Sequence, residues 1–374
     1  MPETAMKIKI TELYVYPIKS LRPISVLSTQ LRREGLQYDR RFMLLKAEAD
    51  GRYTNIQVSR FPECALFAQA FDGDGDHVVV TYLGEENVSP LRVPLDPATE
   101  DLEANGTVDI LLFGSAAPTF RVGDEYDAWF TARLGYRAVL VYIGDNRRPV
   151  LAHAPPPPSP AFGGKSWFSS VASFLPSYLY QQPQQEKRTE DEGLTFNEAA
   201  PFLLTSRASL RDVSARMPGA KAEVDMIKFR PNIVVDKVPS SPSDHIEEIS
   251  SVLGAWDEDY WGEIAVGPSH HRLALTANCA RCVSVDIDYA TGRRTDAVLK
   301  SMMRDRRVDA GNKWSPIFGR YAFLLPRPSA GGESSSNEGK GDALFAAVTA
   351  DVAVGDEVEV TKRLSERDVW AWPK

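Results

Sequence analysis

Residues 274–287 read ALTANCARCVSVDI, and how that stretch is parsed decides the fold class. The residues before the cysteines are small or apolar, as in a buried strand. After them VSVDID alternates apolar and polar residues with the period of two that a half-buried strand needs. A thiol–disulfide pair of the thioredoxin kind requires a helix to begin at its CxxC, because the helix dipole lowers the thiol pKa. A strand there disfavours that chemistry. Structural zinc needs four ligands, and neither a second cysteine pair nor a suitably spaced histidine pair accompanies Cys279 and Cys282. Two readings stay open: one thiolate binding a soft transition metal, with Arg281 beside it for an anionic group, or two small buried side chains.

Strand signals recur outward from this stretch, as alternation over 8–16 and as a short apolar run over 41–45 that suits a buried strand. Residues 8–16, 41–45 (RFMLL), 77–83 (HVVVTYL) and 136–143 (YRAVLVYI) read as strands, and 124–134 (DEYDAWFTARL) shifts to helical spacing with Gly135 placed to stop it. Further on, 206–217 suits a helix opened by a Ser206 cap. Residues 225–235 (DMIKFRPNIVV) read as a strand with Pro231 at an edge or bulge, and 352–360 (VAVGDEVEV) as a closing hairpin. No internal repeat is visible. The expectation is a mainly β chain with some α, built of barrels rather than a doubly wound sheet. Its organisation reads as a β unit over 6–148, a Pro-rich insertion over 149–195, a second domain over 196–362 interrupted by a low-complexity loop at 326–341, and a tail over 363–374.

Within the insertion, four prolines at 155–158 favour an extended polyproline conformation. The stretch 167–180 carries an apolar stripe at helical spacing opposite a serine-rich face. That pattern suits a peripheral membrane contact, a lid over a site, or packing on the chain's own barrel.

Composition narrows the function classes. The 374 residues carry a net charge of −8, which argues against a nucleic-acid surface but permits a small basic pocket. Three cysteines (Cys64, Cys279, Cys282) make a poor disulfide framework. The first residues resemble neither a signal nor a transit peptide, and no run approaches the ~20 apolar residues of a membrane span. The expectation is a cytoplasmic location; the N-terminus gives no support for a mitochondrial one.

Three other short pieces offer chemistry. In YPIKS, Lys19 supplies a point charge and Ser20 a hydroxyl where a strand ends, which suits a phosphate or a polar ring edge. In DRRF, Arg40 and Arg41 would point to opposite faces of a strand, so at most one serves a given pocket. In FRPN, Arg230 precedes a proline-held extended backbone. Each also has a plain surface reading.

Together YPIKS, DRRF, PFLLTS, FRPNIVV, NCARCVSVDIDYATG, WSPIFGRY and VAVGDEVEV resemble, in order, the landmarks of the MOSC family with its N-terminal β-barrel domain, over about residues 8–362. The resemblance extends to the amidoxime-reducing members, and the family also includes the C-terminal domain of molybdenum cofactor sulfurase. This resemblance implies a molybdenum cofactor (Mo-molybdopterin) held by the thiolate of Cys282, with Cys279 as a supporting residue. It implies cofactor contacts from Lys19, Ser20, Arg281, Arg230 and Tyr321, from one DRRF arginine (Arg41 preferred to Arg40), and from Glu198 as the acid before PFL. The implied activity is two-electron reduction of an N-hydroxylated substrate, with electrons from a cytochrome b5-type donor and its flavin reductase. The alternatives are a carrier holding cofactor or sulfur on Cys282 without turnover, and a protein thiol oxidoreductase using both cysteines.

Overall fold

Strand Ala138–Tyr142 shows how the first half is built, because all five of its side chains are buried. Ala138, Leu140 and Tyr142 enter one apolar cluster, whereas Val139 and Val141 enter another on the opposite face. Its antiparallel partner Phe42–Ala47 divides in the same way, Phe42 and Leu44 against Met43 and Leu45. A strand that is apolar on both faces must be covered on both. One cover is the three-stranded sheet Phe67–Phe71, His77–Tyr82, Leu91–Pro94 with helix Asp124–Leu134. The helix opens with Asp124, Glu125 and Asp127 at its electropositive end and stops at Gly135, whose φ of +76° is left-handed.

The computed structural model describes residues 7–152, 193–217, 223–238, 253–326 and 349–371. Both the stretch 167–180 and most of the low-complexity loop lie outside the described residues, and with them the membrane-contact reading. No helix among the described residues is long and apolar enough to cross a membrane.

The second half is organised by an eight-stranded sheet. Its order is Ile24–Val26, Lys7–Val15, Ile233–Val238, Phe202–Ser206, Ile317–Leu324, His271–Ala280, Trp261–Val266 and Val358–Arg363. The sheet curls back on itself: Lys9 bridges to Glu357, and Ile10 exchanges backbone hydrogen bonds with Asp356 and Gly355. Curling satisfies backbone groups that an open edge would expose. Trp261, Phe202, Leu204, Ile264 and Leu275 fill its interior.

The mainly β expectation holds, and four local expectations change. The strand at Lys7–Val15, read with the first unit, pairs with Ile233–Val238 in the sheet of the second half. Alternation places a side chain on a face but does not say which sheet the strand joins. The expected closing hairpin is two strands that part company: Ala350–Ala353 pairs with Ser28–Arg32, and Val358–Arg363 with Trp261–Val266. After Cys282 the chain makes one 3-10 turn, Val283–Asp286, not a strand. Asp286 stabilises this turn's exit by accepting from the amides of Val298 and Leu299. Residues 225–235 likewise begin with a 3-10 turn, Met226–Phe229, before strand Ile233–Val238. The Ser206 cap forms as expected, its hydroxyl accepting from the Ser209 amide at 3.1 Å.

Candidate functional site

The YPIKS and DRRF segments are laid across each other by backbone hydrogen bonds. Arg40 N donates to Tyr16 O, Phe42 N to Pro17 O, and Lys19 N to Phe42 O. Phe196 N then donates to Arg40 O, which brings in the segment before PFLLTS. The FRPN turn joins through Asn232, whose amide Nδ2 donates to Asp39 and to Tyr14 O. Arg281 N donates to Pro316 O, anchoring the CARC end of its strand beside the WSPIFGRY strand. These contacts enclose a cleft that is partly open to solvent.

Lys19, Ser20, Arg40, Glu198, Arg230, Arg281, Cys282 and Tyr321 all line this cleft, and Arg41 does not. Of the two DRRF arginines, the preferred Arg41 lies outside the cleft and Arg40 lines it. The alternation argument assumed a strand at both arginines, but Arg40 has a left-handed φ of +52° and the strand begins at Phe42. Arg41 instead donates to the Tyr142 hydroxyl and to Gly144 O, both at 2.8 Å, within the first half.

Left-handed backbone is concentrated here. Eight non-glycine residues among those described have positive φ, and four of them (Ser20, Arg40, Phe113, Arg230) line the cleft. Each costs about 1–3 kcal/mol and persists only where surrounding structure holds it. The holding contacts are visible. Ser20 Oγ donates to Ile56 O at 3.0 Å, and Arg230 donates to Leu21 O at 2.9 Å and to the Tyr289 hydroxyl at 3.3 Å. Arg40 is paired with buried Asp39 and donates to Asn232 Oδ1 at 3.3 Å and to Arg230 O at 3.2 Å. The guanidiniums of Arg40 and Arg230 lie 4.5 and 4.4 Å from the centroid of the buried Tyr16 ring, a cation–π arrangement that fixes both.

The charge balance of the lining is four cations to one acid, Glu198. Lys19 Nζ donates to Phe196 O at 2.8 Å, yet burial, reinforced by the nearby Arg40, Arg148 and Arg230 cations, pushes its pKa down to about 7. Glu198 opposes this shift only in part. Arg281 donates to Cys279 Sγ at 2.8 Å and to Phe229 O at 2.6 Å, while its buried Nε has no protein partner. Four converging cations, one of them desolvated toward neutrality and another with an unused N–H, fit an anion such as a phosphate.

The two cysteines are not equivalent. Cys279 is buried; burial pushes its thiol pKa up, and Arg281 opposes the shift. Cys282 is exposed at the cleft, its Sγ donating to Ser284 Oγ at 3.3 Å. Tyr321 is buried between them and the acid: its hydroxyl donates to Glu198 at 3.3 Å. No group of three or more His, Cys, Asp or Glu residues with metal-site geometry occurs among the described residues.

Sequence reasoning missed several members. Asn232, which ties Asp39, Arg40 and Leu203 together, stands inside the FRPN landmark, and its signal was the residue after the proline. Phe113, whose ring lies 5.0 Å from Lys19 Nζ, sits at the end of an ordinary strand and left no trace. Neither did Arg148, which does not line the cleft but is buried near enough to act on Lys19, donating to Thr195 O, Asn197 O and Ser115.

The MOSC N-terminal beta barrel domain family matches residues 7–137, and the MOSC domain family matches residues 191–359. The molybdenum cofactor sulfurase of Neosartorya fischeri is 27% identical over 339 residues, 84% of this chain and 37% of that one. That of Aspergillus niger is 26% identical over 351 residues, 87% of this chain and 39% of that one. The chain thus spans under two-fifths of the length of these sulfurases. Mitochondrial amidoxime reducing component 2 of Rattus norvegicus is 26% identical over 324 residues, 83% of this chain and 78% of that protein.

Proposed function

Given that the chain belongs to the MOSC family and carries both its N-terminal β-barrel domain and its MOSC domain, we propose that it is a molybdenum-cofactor-dependent oxidoreductase that reduces N-hydroxylated, amidoxime-like substrates. Its relatives include molybdenum cofactor sulfurases and an amidoxime reducing component, which supports a molybdenum-associated role. The observation that carries the finer reading is an exposed thiol, Cys282, at the rim of a cleft lined by four cations and one acid. Thiolate is a soft, anionic donor suited to a high-valent metal. Lys19, Arg40, Arg230 and Arg281 would hold the pterin and its phosphate, and Ser20 and Asn232 keep that cradle in shape. The cofactor, when bound, supplies two-electron oxygen-transfer chemistry.

The chain's own part is binding, orientation and proton handling. Reduction of an N–OH group to N–H takes two electrons and two protons and releases water. Glu198 and the Tyr321 hydroxyl, hydrogen-bonded to each other within the cleft, can hold a proton at the Glu198 carboxylate. The proposed electron source is a cytochrome b5-type haem protein with its flavin reductase, as the likeness to an amidoxime reducing component suggests.

The test is metal and pterin analysis of protein made in a cofactor-competent host, for the wild type, Cys282→Ser and Cys279→Ser. The expected result is about one molybdenum per wild-type chain, loss in Cys282→Ser, and retention of most of it in Cys279→Ser, where the hydroxyl can still accept from Arg281. Equal dependence on both cysteines without molybdenum would establish the thiol reading instead. Molybdenum without turnover of benzamidoxime by a dithionite-reduced dye would make the protein a carrier.

A further inference from the structure

Beyond residue 359, where the MOSC family match ends, the chain does not leave the barrel. It runs back along the two strands that carry the site, Ile317–Leu324 with Tyr321 and His271–Ala280 leading into Arg281 and Cys282. Leu364 N donates to Tyr260 O, and Arg367 donates to buried Asp259 at 2.7 Å. Asp368 is held twice: its carboxylate pairs with the fully buried Arg320, and its backbone oxygen accepts from Asn278 at 2.7 Å. Trp370 N donates to Asp309 at 3.2 Å, and Trp370 O accepts from Asn312 Nδ2. Gly311 has no room for a side chain, since a Cβ there would stand 2.2 Å from Trp370 O.

The end of this strap is an aromatic side chain placed behind the cleft. Trp370 is 1% exposed and meets the Tyr321 ring edge-on at 5.8 Å between centroids. Cys279, Ala199, Ala200 and Leu203 share its cluster, and Ala200 and Leu203 also line the cleft. Tyr321 therefore stands between Trp370 on one side and Glu198 on the other. Cys279 in turn accepts from Arg281. Arg320 and Asn278, which grip Asp368, sit in strand register with each other and one residue from Tyr321 and Cys279 respectively.

We propose that the C-terminal segment 364–371 is a working part of the site, in which Trp370 is a positioning residue that holds Tyr321 and Cys279, and through them Arg281, against the cleft. The proposal rests on the reading of the cleft given above for its effect on turnover, but not for its effect on the thiols. Removing the indole opens a void in a packed cluster. Its neighbours on the cleft side, Tyr321 and Cys279, relax into that void, so the Tyr321 hydroxyl leaves Glu198 and the Arg281 guanidinium loses its sulfur acceptor.

The test compares full-length Trp370→Ala and Trp370→Phe with Val93→Ala, which opens a void of its own in the first half, where Val93 is fully buried. Native protein is alkylated with iodoacetamide, and the Cys279 peptide is followed by mass spectrometry. Cys279 in Trp370→Ala should react about tenfold faster or more than in wild type, with Trp370→Phe and Val93→Ala within about twofold of wild type. Turnover per bound molybdenum should fall about tenfold in kcat with KM changed by less than about twofold, and Trp370→Phe should restore it. Unchanged shielding of Cys279 in Trp370→Ala, unchanged turnover per molybdenum, or equal exposure of Cys279 in Val93→Ala overturns the proposal. Absence of molybdenum from the wild type would defeat the reading of the cleft, and the alkylation arm would still decide the strap.

Discussion

Lys19 offers the sharpest physical test, because a buried ammonium among guanidiniums makes the protein's stability depend on pH with a calculable sign. In the unfolded chain the amine has its ordinary pKa of 10.5, and in the folded chain about 7. Between those two values the unfolded state binds more protons, so stability rises with pH across the window. From pH 7 to pH 9 the folded amine is already half to almost wholly neutral, while the unfolded amine must still lose its charge. The gain over these two pH units is about 2 kcal/mol, since one pKa unit is worth about 1.4 kcal/mol and the lower end falls on the folded pKa itself. Other groups titrate too, so the measured quantity is the difference between wild type and Lys19→Met. Urea denaturation at pH 7 and pH 9, on protein made in a cofactor-deficient host, should show wild type gaining about 2 kcal/mol relative to Lys19→Met. Loading the cofactor should flatten the slope, because a phosphate beside the ammonium draws its pKa back towards 10.5. Parallel curves for the two proteins would mean that Lys19 keeps its charge in the cofactor-free cleft, and the account of the cleft as an anion site starved of counter-charge would be refuted.

The paired arginines and one glycine give further tests. Arg40→Ala leaves the buried Asp39 without its cation and should cost about 3 kcal/mol in denaturation, together with most of the bound pterin; Arg41→Ala should cost about 1 kcal/mol and keep the pterin. Pterin loss from Arg41→Ala alone would reverse the assignment. Gly319 has a φ of +83°, and a Cβ there would lie 2.7 Å from Leu204 O, so Gly319→Ala should destabilise by about 2 kcal/mol or more. A melting temperature unchanged from wild type would show that the strand pair can part without penalty.

Short apolar runs and alternation made the class of fold legible: 136–143 and 41–45 read as strands, and helix Asp124–Leu134 carried its own glycine stop. The landmarks YPIKS, FRPN, CARC and FGRY likewise marked Lys19, Ser20, Arg230, Arg281, Cys282 and Tyr321 in advance, and all six line one cleft. Their roles came from the resemblance of these landmarks, in order, to those of a family, because local chemistry alone left plain surface or buried readings open. What the sequence by itself could not determine was anything set by non-local pairing. Lys7–Val15 joins the sheet of the second half because Ile233–Val238 offers it an edge, and 352–360 divides between two sheets for the same reason. Arg40 reaches the cleft and Arg41 does not because the backbone turns left-handed two residues before the strand, a conformation held by neighbouring Asp39 and by Asn232 and Tyr16 from elsewhere in the chain. Only the tertiary structure could supply those partners, since strain of that kind is tolerated where distant contacts hold it and has no sequence signature of its own.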